Sequence, residues 1–216
     1  MKTPSHRSFI PSTRGFTLVE LLVVIAIIAV LAAAGFGAGR ATIERSKRMT
    51  ALAAIQGLNQ SIGDFYTEYG TFPIKTPPST DNSNNPIRTD KSDGVSILEE
   101  LLGYKDPNST DTINTKAVKY LNVKQSKDSS SIKNPKDGLV LGRMSGTIPQ
   151  VRGLYDPWGG PYNMVFDFDF DDNLHVRASA ANSDTTLYGR KFAAWSDGAD
   201  WKQRKSKVGD DVYSWK

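Results

Sequence analysis

At 216 residues the chain fits one ordinary domain with an appendage and leaves little room for a multidomain assembly. It has no cysteine, which removes disulfide scaffolds, thiolate zinc sites and cysteine nucleophiles, and its two histidines, His6 and His175, make a histidine-based metal or relay site improbable. The 27 Lys and Arg stand against 23 Asp and Glu, a net +4 too balanced for a nucleic-acid footprint, so no nucleic-acid partner is expected.

Residues 1–15 carry Lys2, Arg7 and Arg14 without an acid and contain Pro4 and Pro11, which predicts a short basic segment without a helix. Nineteen uncharged residues follow from Leu21 to Gly39, enough at about 1.5 Å per residue to reach across roughly 30 Å of hydrocarbon. This predicts a membrane-spanning helix over 16–39, with the basic flank on the cytoplasmic side, although Arg40, Arg45, Lys47 and Arg48 weaken the charge asymmetry. A secretory signal cut near Ala32-Ala33-Ala34 is the alternative, but the apolar run exceeds the usual h-region of about 7–15 residues, and Glu20 interrupts its start. A carboxylate at that depth needs a partner, which on this reading becomes available only once the chain is cut.

The segment Arg14-Gly15-Phe16-Thr17-Leu18-Val19-Glu20-Leu21-Leu22 resembles the processing motif of type IV prepilins. The resemblance implies a cut after Gly15 by a prepilin peptidase, N-methylation of Phe16, and retention of the helix as anchor. It also implies that Glu20, the fifth residue of the mature chain, pairs with the terminal amine of a neighbouring subunit in a filament. A buried acid and a buried ammonium offset each other's desolvation only where they meet. Loss of residues 1–15 takes three positive charges from the net +4 and leaves +1.

Beyond the apolar run the pattern becomes one-faced. Leu52, Ile55, Leu58, Ile62, Phe65 or Tyr66, and Tyr69 recur at steps of three and four, which predicts an amphipathic continuation over 40–70 that stops at Gly70, with Pro73 beyond. The whole helix would be on the order of 80 Å long. Gly35, Gly37 and Gly39 allow either local bending or close helix packing.

Residues 71–152 read as a variable, loop-rich insert. Within it 73–94 is rich in Pro, Asn, Ser, Thr and Asp, Val95–Tyr104 is a short helix, Lys116–Val123 is a short helix or strand, and 124–137 is polar. From Gly138 the pattern turns β-like. A turn-dense segment, Gly153 to Tyr162, opens into Asn163–Asp171, where Met164, Phe166, Phe168 and Phe170 share one face and Asn163, Val165 and the aspartates share the other. A turn at Asp171-Asp172-Asn173 and the run Leu174–Ala180 would complete a hairpin, with a third strand near Lys191–Ser196. The expected fold is thus α+β and pilin-like: a long N-terminal helix on a small antiparallel sheet, which with the C-terminal loop occupies 153–216.

Asp156 to Tyr162, an Asp-Pro-Trp-Gly-x-Pro-Tyr segment, is similar to one common in the G-type major pseudopilins of type II secretion systems. The loop holding Ser196-Asp197-Gly198-Ala199-Asp200 and later Asp210-Asp211 is similar to the C-terminal loop of the same family. There the resemblance implies calcium, with Ser196, Asp200, Asp210 and Asp211 as its residues here. Calcium takes six to eight oxygens and needs neither Cys nor His. Neutralisation of these acids by Lys202, Arg204, Lys205 and Lys207 is the other reading. A second acidic run, Asp167, Asp169, Asp171, Asp172 and Asn173, starts like a calcium loop, but Asp172 and Ala178 stand where an EF-hand needs Gly and Glu. It reads as a solvated strand face and hairpin turn.

No nucleophile elbow, phosphate loop or paired-carboxylate cleft is visible, so no enzymatic activity is expected. The resemblance implies a single-pass protein of the bacterial inner membrane with a periplasmic C-terminal domain, forming a homo-oligomeric filament with other pseudopilins and an inner-membrane assembly platform. Two other readings stay open. One is a type IV pilin for adhesion, motility or DNA uptake, although such pilins often close a C-terminal loop with a disulfide. The other is a membrane-anchored carbohydrate-binding domain using Trp158, Trp195, Trp201 and Trp215 as platforms.

Overall fold

A 52-residue helix, α1 (Leu18–Tyr69), dominates the first third of the chain in the computed structural model, which describes residues 15–81, 85–126, 135–145, 148–177, 184–201 and 211–215. The side chains of 34–38, 143–145, 184 and 200 also lie outside that description. Two units are distinguished, 1–44 and 45–216. In the first, the apolar side chains from Leu18 to Leu31 are exposed on every side of the helix. Among the described residues no helix is long and apolar enough to cross a membrane. The stretch read as a span, 16–39, includes the side chains of 34–38, so it falls partly outside the described residues.

In the second unit α1 buries Ala51, Ile55, Leu58, Ile62 and Phe65, a stripe with steps of four and three that makes one helix face apolar. The helix ends where the left-handed Gly70 donates its N–H to Tyr66 O at 2.8 Å. The next segment returns Phe72 to the core, where its ring packs edge-on against Phe166.

The stretch expected to be a loop-rich insert carries more structure than its composition suggests. Strand β1 (Ile87–Arg88) joins the sheet, and α2 (Ser92–Leu102) begins three residues before the expected helix. Helix α2 ends in a Schellman motif: the N–H groups of Gly103 and Tyr104 donate to Glu100 O and Glu99 O. Between Ser92 and Leu102, Gly94 is the residue that lets the helix start close to β1, because a Cβ there would meet Arg88 O at 2.1 Å. Residues 116–123 form neither helix nor strand: the chain turns through Lys116 and the left-handed Ala117, and Leu121 is buried in the core.

Strands β2 (Gly138–Ser145) and β3 (Ile148–Tyr155) pair antiparallel, so the boundary expected at 152/153 falls inside a strand. The central sheet has the order β1-β4-β7-β8, all antiparallel, from β4 (Tyr162–Phe166), β7 (Phe192–Ser196) and β8 (Val212–Tyr213). The expected hairpin between Asn163–Asp171 and Leu174–Ala180 is not formed. β4 stops at Phe166 and pairs with β7, while β5 (Asn173–Arg177) pairs with β6 (Asp184–Tyr188). The reason lies in the burial of β4, whose five residues are all inaccessible. Met164, Phe166 and Ala194 join the core cluster that includes α1, while Val165, Ala193 and Trp195 form a second cluster with Leu174 and Val176 of β5. A two-faced buried strand carries no polar alternation, so its length could not be read from the pattern.

Candidate functional site

Gly15, Phe16 and Thr17 precede α1 without regular structure, and Phe16 is 79% exposed. A peptide bond there is open to a protease. Helix α1 starts immediately afterwards with a capping box: the Thr17 N–H and hydroxyl each donate to Glu20 Oε2 at 2.8 Å, and the Glu20 N–H donates to Thr17 Oγ1 at 3.2 Å. The sequence argument left Glu20 without a partner in the uncut chain. The structure corrects this, since Thr17 supplies two donors from within the same chain. Both bonds fall on Oε2, and Oε1 makes none among the described residues. A cut between Gly15 and Phe16 leaves every member of this cap in place.

At the other end of the chain the turn Asp156 to Pro161 is organised by one carboxylate. Asp156 is fully buried. Its Oδ1 accepts the N–H groups of Trp158 (2.9 Å) and Gly160 (2.8 Å), and its Oδ2 accepts the Ser196 hydroxyl at 2.6 Å. Ser196 Oγ in turn accepts the Gly198 N–H at 3.1 Å. Gly160 is required here, since a Cβ would press on Trp201 at 2.8 Å and on Asp156 Oδ2 at 2.9 Å. Burial pushes the Asp156 carboxyl up to about 6, against the opposing pull of these donors.

Ser196, expected as a metal residue, is therefore engaged with Asp156 through its hydroxyl. Asp211 Oδ2 accepts the Tyr213 hydroxyl at 2.6 Å. The β7–β8 register sets Ser196 opposite Val212, which brings Ser196 and Asp211 to one end of the sheet. The side chain of Asp200 and all of Asp210 lie outside the described residues, as do Lys202 to Lys207, so the four-residue set is not described together.

Two of the four tryptophans are taken up in packing. Trp195 is buried, its Nε1 donates to Asp197 Oδ1 at 2.9 Å, and Trp215 packs edge-on against it. Trp158 is packed against the main core.

In the acidic run after β4, Asp169, Asp171 and Asp172 are exposed as expected, and Asp167 is the exception. Asp167 is fully buried rather than solvated, because the flanking ladder continues through its N–H to Lys191 O and because Phe168 is drawn into the core beside Phe72 and Phe166. The chain turns through left-handed conformations at Phe170 and Asp172 before entering β5.

One buried polar group was not anticipated from the sequence. Glu100 on α2 accepts the N–H groups of Ile113 and Asn114 and pairs with Lys105 at 3.2 Å, while Asn114 Nδ2 donates to Glu100 O and Val118 O, both at 2.7 Å. A glutamate inside an apolar helix face, as at Ile97, Leu98, Leu101 and Leu102, was the only available hint.

Residues 10–36 match the family described as the prokaryotic N-terminal methylation motif. Over 89 residues the chain is 26% identical to the type IV major pilin protein PilE1 of Neisseria gonorrhoeae, a stretch covering 41% of this chain and 42% of that pilin. The match thus spans less than half of the relative. No solved structure matches the chain. The chain carries a type IV prepilin-like N-terminal methylation motif and is weakly similar to a type IV pilin.

Proposed function

We propose that this protein is a structural pseudopilin subunit of a type II protein secretion system, with no catalytic role. A prepilin peptidase cuts after Gly15, Phe16 is methylated, and the apolar half of α1 anchors the subunit in the inner membrane with the C-terminal domain in the periplasm. Subunits then assemble through this helix, with other pseudopilins and the assembly platform, into a periplasmic filament. The observation that carries the reading is the capping box beside an exposed Gly15–Phe16 bond inside a matched methylation motif. Glu20 Oε1, which accepts no bond among the described residues, is a natural acceptor for the amine of a neighbouring Phe16, and that pairing would supply the counter-charge that the Thr17 donors do not, among exposed apolar side chains. The Asp-Pro-Trp-Gly-x-Pro-Tyr turn and its tie to the Ser196 loop favour the secretion type, and calcium held by Ser196, Asp200, Asp210 and Asp211 is part of the same reading.

The similarity to a type IV major pilin favours a second reading, a pilin for adhesion, motility or DNA uptake. Deleting the gene separates the two: loss of an exported protein from the medium supports the secretion role, and loss of surface fibres with export intact supports the pilin. Replacing Glu20 with Leu tests the assembly step common to both. Membrane insertion should persist while cross-linked oligomers disappear; oligomers at the original yield would refute the pairing.

A further inference from the structure

A buried carboxylate oxygen without a hydrogen-bond partner marks an interaction that the described residues do not complete. Asp167 carries one: the residue is inaccessible, its Oδ2 accepts the Asp172 N–H at 3.3 Å, and its Oδ1 has no hydrogen-bond partner among the described residues. Two further carboxylates face it. Asp81 comes from the segment after α1 and is fixed there because its Oδ1 accepts the Phe168 N–H at 2.9 Å, and the exposed Asp169 lies two residues along. One oxygen from each of Asp81, Asp167 and Asp169 lies within 4.8 Å of the others. Among the described residues no lysine or arginine pairs with any of the three.

We propose that Asp81, Asp167 and Asp169 form a calcium site, separate from the C-terminal acidic loop, that pins the segment after α1 to the end of β4. The donor set is all oxygen, which suits a hard cation and offers nothing to zinc or copper. Two oxygens bound to one calcium at about 2.4 Å can be at most about 4.8 Å apart, so each pair lies inside the outer limit for sharing one ion, and a small convergence of the three groups on it, with water and backbone carbonyls, would complete six to eight ligands. An octahedral magnesium site at about 2.1 Å would need tighter convergence. Without a cation the cluster is self-repelling. Burial first, and then the neighbouring acids, push the Asp81 and Asp167 carboxyls upward. The D-x-D spacing after a strand is not an EF-hand. The third carboxylate comes from a segment more than eighty residues earlier, which no local motif could reveal.

Calorimetric titration of the full-length chain in detergent with calcium chloride tests the site. The wild type should bind calcium saturably in or below the roughly 10⁻⁴–10⁻³ M range of extracellular modules, and its melting temperature should rise with calcium. The double variant Asp81→Asn, Asp167→Asn should lose one bound ion per chain while melting no lower than wild type without calcium, because the repulsion is gone. The single variant Asp169→Asn, at an exposed position that the fold does not rely on, should weaken the same ion about tenfold or more. Asp211→Asn, in the other acidic loop, should leave this ion in place. Absence of saturable binding by the wild type, wild-type stoichiometry and affinity in the folded double variant, or displacement by equimolar magnesium would overturn the assignment.

Discussion

Asp156 shows how one side chain can hold a turn, join two distant loops and still oppose folding at neutral pH. Its three donors come from Trp158, Gly160 and Ser196, so it connects the turn before β4 to the end of β7. Its carboxyl is nonetheless raised from 3.8 to about 6 because burial outweighs those bonds. Below about 3.8 the group is neutral in both folded and unfolded chains. As pH rises through that window the unfolded chain ionises first, and the folded state loses up to about 3 kcal/mol by about pH 6, after which the contribution is constant. Asp156→Asn keeps an acceptor for the two backbone N–H groups and cannot ionise. Urea unfolding of this variant should show a flatter stability profile between pH 4 and 6 than wild type; an unchanged slope would mean that Asp156 does not titrate in this window. The Asp-Pro-Trp-Gly segment was visible in the sequence as a turn, but its link to Ser196 was not. That link is forty residues long and depends on which strands pair.

Helix α2 and the turn-rich chain after it form a single element in energetic terms, held by Glu100 and Asn114 rather than by apolar contact alone. Asn114 closes the arrangement with its Oδ1, which accepts from the Val118 N–H and the Tyr69 hydroxyl, so the end of α1 is tied in as well. Glu100→Ala would leave Lys105 only its neutral partners Ser96 and Asp111 O, and would leave two backbone N–H groups, that of Asn114 buried, without an acceptor; it should cost about 2–3 kcal/mol. Glu100→Gln, which retains one oxygen acceptor, should cost less, and urea midpoints compare the two directly. On α1, Leu58→Ala should cost about 2–5 kcal/mol through lost burial and a cavity, whereas Gln60→Ala on the exposed side should stay within about 0.5 kcal/mol. The stripe on α1 and its end at Gly70 were legible because a one-sided helix advertises its period. The strands were less so. β4 is buried on both faces and β1 has only two residues, so neither carries a period to read. Asp169, Asp171 and Asp172 are solvated as read, but Asp167 was misplaced because alternation assumes that the strand continues, and here it ends at Phe166 so that Phe168 and Phe170 can reach Phe72.

The molecule as a whole combines a unit that buries its apolar side chains with one that does not. In residues 45–216 two apolar clusters fill both faces of the central sheet. In residues 1–44 the described apolar side chains of α1 are exposed all round, from Leu18 at 81% to Leu31 at 66%. That much uncovered surface is unstable in water and calls for lipid or neighbouring copies of the same helix. Composition concealed this division, since a mean hydropathy of −0.40 averages the two parts. The central claim is that the chain is cut at Gly15 and then works through the helix that remains. Mass spectrometry of the N-terminus of the protein isolated from its native membrane tests it most directly. A chain beginning with N-methylated Phe16 is the predicted result, and a chain beginning after Ala34 would contradict the account.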